Sequence, residues 1–203
     1  MICSNVVRAQ YFESNCVVDS REVPCVAFLY KYPPMVIRQA AQHVLGRYNV
    51  TSFYSGGKEY FEFSGDSLGL VLMQHTRIKY WVEDMGDEKG ALYLTAFREP
   101  TKRYASSLNF AIVLNKIKEE LSAIEIECIN ITNSLFLAEQ YQKVMQLTHE
   151  IQTLHDDLRR LETQTPTATT QINQIRSSLR IKRAALNQET ELLNRLKEMV
   201  SDS

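Results

Sequence analysis

Few residues here are of types that do chemistry, and their spacing works against them. Imidazole serves both metal binding and proton transfer, yet His43, His75, His149 and His155 share no ligand spacing with cysteines or carboxylates. His149 and His155 stand six apart, outside the i, i+4 step that sets two imidazoles on one helical face. Ser55-Gly56-Gly57-Lys58 and Ser64-Gly65-Asp66-Ser67 contain glycine, but neither leads from a strand into a helix as a phosphate cradle must. Both read as hairpin turns. Asp84, Asp87 and Glu88 lack the spacing of a calcium loop or a catalytic pair and fall in a polar turn. No catalytic, cofactor-binding or metal-binding residue is therefore assigned, and neither a cofactor nor a small-molecule substrate is expected.

Cys3, Cys16, Cys25 and Cys128 form no CxxC motif, which favours reduced thiols in the cytoplasm or nucleus over a disulfide framework. The start of the chain has neither a basic leader nor a long apolar run, and no stretch approaches 18 apolar residues, so neither a signal peptide nor a membrane span is expected. The sequons at Asn49 and Asn130 then read as chance. With 23 basic and 24 acidic residues in 203, the chain has no overall field to draw in nucleic acid or an anionic membrane.

The residues that could position a site fall into two parts, expected as a mixed α/β head over 1–102 and a helical coiled-coil arm over 103–203. In the head, residues 5–12 and 25–32 are rich in β-branched and aromatic types and read as strands, with the polar residues 13–24 as a loop between them. Pro33-Pro34 stops the second strand and starts a helix over about 34–48, with Val36, Ala40, Val44 and Leu45 on its apolar side. Short strands follow at 52–54, 59–63, 68–74, 78–83 and 91–97, with glycine-bearing turns at 55–58, 65–66 and 85–90. The fold class this implies is α+β: an antiparallel sheet with one packed helix, then a long C-terminal helical hairpin or coiled coil. Tyr54, Tyr60, Phe61, Phe63, Tyr80 and Trp81 read as sheet core rather than as a docking surface.

After Pro100 the period changes. Phe110, Leu114, Ile117, Leu121, Ile124, Cys128, Ile131 and Leu135 recur in steps of four and three, and the extra apolar residues at 111–113 widen the stripe enough to pack on the head's sheet. A second seam, displaced by two positions, runs through Leu137, Val144, Leu147, Ile151, Leu154, Leu158 and Leu161. Thr163–Thr170 interrupts it, since carrying a helix through Pro166 costs about 3 kcal/mol. The pattern resumes at Ile172, Ile175, Leu179, Leu186, Leu193, Leu196 and Val200. Two such segments around a polar break predict an antiparallel hairpin with Leu158 facing Ile175, Leu154 facing Leu179 and Leu147 facing Leu186. The rival is a kinked, extended coiled coil. Ala185, Leu192 and Met199 would stay wet in a lone hairpin.

The pattern points to a non-enzymatic structural or adaptor protein, with protein partners held by the arm and by the head, and a dimer or hetero-complex as the assembly. One alternative is a nucleic-acid or membrane-surface binder that uses Arg176, Arg180 and Arg183 on the last helix. A second is an enzyme whose site in the head carries no recognisable motif.

Overall fold

The computed structural model describes residues 10–68, 75–99, 103–104, 107–165 and 167–201. The elements run β1 (Gln10–Val18), β2 (Arg21–Tyr30), α1 (Pro34–Leu45), β3 (Thr51–Ser55), β4 (Lys58–Ser64), β5 (Thr76–Gly86), β6 (Lys89–Arg98), β7 (Arg103–Tyr104), α2 (Ser107–Gln164) and α3 (Thr169–Ser201). The fold is α+β, with an antiparallel sheet followed by two long helices. The chain divides into two compact units, Met1–Ile131 and Thr132–Ser203, so α2 gives its first part to one and its second part to the other.

In the first unit the strands lie in the order β1-β2-β6-β5-β4-β3, with β7 beside β6. Three two-residue turns build the hairpins, each with positive φ at both central residues: Asp19-Ser20, Gly56-Gly57 and Asp87-Glu88. Such turns match the right-handed twist of the strands they join. Residues 13–24 are therefore not a loop. They form most of a long hairpin, because Asp19-Ser20 takes the left-handed conformations that short polar side chains tolerate. Only Gln10–Phe12 of the expected first strand lie in β1, and residues 5–9 fall outside the described set. The expected strand at 68–74 falls almost wholly outside it too. Arg103 and Tyr104 extend the sheet as β7 rather than opening the long helix.

One face of the sheet is covered by α1 and by the start of α2. Val36, Ile37, Ala40, Ala41 and Leu45 meet Phe61, Phe63, Ile78, Tyr80, Leu92 and Leu94 there, and Ile117, Leu121, Ile124 and Cys128 complete the same core. The first seam of α2 is thus largely a sheet-packing stripe, continuing as far as Ile131. α1 ends at Leu45, short of the expected 48. Residues 46–48 tighten into a 3-10 turn that Asn49 closes in the left-handed conformation.

Candidate functional site

On the opposite face of the sheet, Trp81, Tyr60 and Lys79 are buried as well. Pro24 begins the explanation. It has no N–H to give β6, and the β2–β6 ladder starts only at Val26–Leu94. The free end of the β1–β2 hairpin bends over the sheet, where Val18, Val23 and Cys25 close on Tyr60 and Trp81, with Phe53, Tyr93 and Cys16 at the margin. Thr95 fixes the flap by donating its hydroxyl to the Pro24 carbonyl at 2.7 Å. In a flat sheet the edge strands would lie roughly 24 Å apart, five interstrand spacings. Instead Ser55 at the end of β3 donates to Asp19 Oδ1 at 2.9 Å, so opposite corners of the sheet meet.

Lys79 is the clasp of that closure. Its side chain is 3% exposed, with Nζ 3.0 Å from Asp19 Oδ2 and 3.3 Å from Glu62 Oε1. The rings of Phe53 and Tyr60 lie 4.8 and 5.2 Å from the ammonium. Burial alone would lower its pKa, but Asp19 and Glu62 outweigh burial and hold it above the usual lysine value. An amine kept charged in this way serves as a fixed cation rather than as a nucleophile. Sequence reasoning missed it, although period two in β5 already sets Lys79 on the same side as Trp81.

Cys16 and Cys25 meet in the flap as a disulfide with Cα atoms 6.0 Å apart, where reduced thiols were expected. The hairpin register makes them diagonal neighbours, a proximity that spacing in the sequence does not reveal. Neighbouring sulfurs do not by themselves set the compartment. Cys128 is not in a disulfide; burial first, then Glu125 and Glu127, push its thiol up to about 12.

The histidines do not converge. His43 Nδ1 lies 2.7 Å from Glu127, His75 sits in a turn, and His155 meets Arg183. Tyr60, Phe61, Phe63, Tyr80 and Trp81 are buried, while Tyr54 is exposed.

The second unit is a helical hairpin. Its cross-links run in opposite senses along the two helices: Arg176 to Glu162 (2.8 Å), Lys182 to Glu150 (2.5 Å), and Gln140 to the Glu189 carbonyl (3.0 Å). Numbers that rise on α3 as they fall on α2 require antiparallel helices. Ile172, Leu179 and Leu193 are buried, and Ile175, Leu186, Leu196 and Val200 are half-buried. On α2, Leu137, Val144, Leu147, Ile151, Leu154, Leu158 and Leu161 are all half-buried. The one buried residue among the second-unit residues of α2 is Gln140, whose amide is satisfied by Glu189. It occupies a seam position by spacing, and a glutamine there escapes any search for apolar residues.

Of the basic stripe, Arg176 is paired with Glu162, Arg183 meets His155, and Arg180 is exposed. Lys182, beside them, holds the Glu150 carboxyl below its usual range by hydrogen bonding. α3 also exposes apolar side chains. Ile181 is 67% exposed and Leu192 45%; Met199 is exposed and Ala185 half-buried. Ala185, Leu192 and Met199 repeat every seven residues, the period that keeps a stripe facing a neighbouring helix.

By length and composition alone, the Ile117–Gln164 part of α2 would pass as a membrane span. The sequence shows no uninterrupted apolar run there because Glu125 and Glu127 break it, and Ile117, Leu121, Ile124 and Cys128 lie in the sheet's core. No protein-family profile, curated protein or solved structure matches the chain.

Proposed function

We propose that this chain is a structural or adaptor protein whose helical hairpin assembles with further helices, those of a second copy first among them. The observation that carries the reading is the second heptad stripe on α3. Ile181 and Leu192 lie exposed beside a seam already used within the hairpin. Placing such side chains in water forgoes about 25 cal/mol for each Å² of apolar surface left exposed. Charge supports the same reading over the nucleic-acid alternative. Arg176 and Lys182 are tied to acids of α2, which leaves less basic charge for phosphates. The head, with its curled sheet, is the part that holds a second partner.

Assembly through the arm makes the arm's stability depend on concentration by mass action. The helical melting transition, followed by far-ultraviolet circular dichroism, should rise with protein concentration. An arm transition that is constant over a hundredfold dilution contradicts the reading.

A further inference from the structure

β1 is an edge strand with apolar side chains in the open. Among the described residues it pairs with β2 alone. Edges are ordinarily blunted by shortness, lysine, proline or a bulge; β1 is 9 residues long with Glu13 as its single charge and no proline. Tyr11 and Val17 are 59% and 65% exposed, and Phe12 is also exposed. In a two-residue hairpin the residues flanking the turn, here Val18 and Arg21, exchange both hydrogen bonds, and alternate residues do so back along the strands. The peptide groups of Phe12, Ser14 and Cys16 therefore face β2. Those of Tyr11, Glu13, Asn15 and Val17 face away from the sheet.

We infer that β1 pairs antiparallel with β1 of a second copy about a twofold axis at Ser14, joining two heads into one continuous sheet. This goes beyond the arm-assembly reading and involves a different element. The sequence is self-complementary under that operation. Tyr11 of each copy lies opposite Val17 of the other, an aromatic and β-branched pair that stabilises adjacent strands. Glu13 lies opposite Asn15, so no like charges meet. Odd positions meet odd positions, and the outward N–H and C=O groups of both strands find partners. The neighbouring registers of the same parity are worse. One sets Glu13 against Glu13; the other sets Glu13 against Val17 and Tyr11 against the turn residue Asp19.

The register is tested through Asn15, which is exposed, in full-length chain that also carries Ile181→Glu and Leu192→Glu, so that the arm stripe contributes nothing. Asn15→Lys sets the introduced ammonium opposite Glu13 twice across the axis and should tighten self-association about fivefold in sedimentation equilibrium. Asn15→Glu sets two pairs of carboxylates face to face and should weaken it by about tenfold. Adding Glu13→Lys to Asn15→Glu exchanges the charges and should restore the tighter association, which no general effect of net charge does. Circular dichroism confirms that each variant keeps its fold. A monomer throughout, or a dimer indifferent to the sign of the charge at position 15, overturns the inference; the second result leaves the edge to an extended segment of another protein. Because the arm is disabled in every sample, failure here leaves the arm reading standing, and failure of the arm reading leaves this result intact.

Discussion

Replacing Lys79 by methionine should open the flap over the concave face of the head. Methionine keeps most of the stem's volume and removes the charge, leaving Glu62, 16% exposed, and Asp19, 43% exposed, without their shared cation. Removing one partner of a fully buried pair costs about 3–5 kcal/mol. An exposed pair contributes about 0.2–1 kcal/mol. Glu62 lies near the first case and Asp19 near the second, so a loss of about 3 kcal/mol is expected for Lys79→Met and about 1 kcal/mol for Asp19→Asn. The single tryptophan is a built-in probe, since Trp81 belongs to the same cluster and donates Nε1–H to Glu83 at 3.0 Å. Urea unfolding followed by its fluorescence reports the head without the arm. Adding Glu62→Gln to Lys79→Met should recover most of the loss, because the stranded carboxylate is what costs. Lys79 has a raised pKa, so its contribution is complete below the unfolded value near 10.5 and is lost as pH rises through the folded one. A loss under about 0.5 kcal/mol for Lys79→Met, with no recovery from the second change, would refute the clasp.

Three further outcomes follow from the packing. A Cβ on Gly90 would lie 2.6 Å from the buried Ile37 side chain and 3.3 Å from Pro34 Cα, so Gly90→Ala should destabilise the head by about 1–3 kcal/mol in the same urea assay. Cys128, its thiol pushed up to about 12 by burial and then by Glu125 and Glu127, should resist iodoacetamide at pH 8 until the head unfolds; rapid labelling at Cys128 in native protein, located by peptide mass spectrometry, would contradict its placement. Leu154→Asp should lower only the arm transition in calorimetry, while Trp81→Ala should lower only the head transition, by about 3–5 kcal/mol. Equal shifts of one shared transition by both changes would contradict the two-unit description.

Periodicity made the large features legible. Heptad steps marked both parts of α2, Thr163–Thr170 marked the break, and Gly56-Gly57 marked a hairpin. The β1–β2 hairpin was hidden because its turn is Asp19-Ser20 rather than a glycine pair, and because the consecutive polar residues Glu13-Ser14-Asn15 interrupt the apolar residues of β1. The concave cluster was hidden for a different reason. Lys79, Asp19 and Glu62 come from three separate places in the chain: the β4–β5 register sets Glu62 opposite Lys79, and the bend of the flap at Pro24 brings Asp19 over them. Gln140 and Glu189 are 49 residues apart, and their bond depends on the hairpin register rather than on any local pattern.

Sedimentation equilibrium of the full chain, set beside the Ile181→Glu, Leu192→Glu variant, tests the assembly role most directly. The account predicts that the wild-type chain associates reversibly at micromolar concentration and that the double variant associates at least tenfold more weakly while keeping its helical content. A wild-type chain that stays monomeric, or a double variant that associates as strongly as wild type, would contradict it.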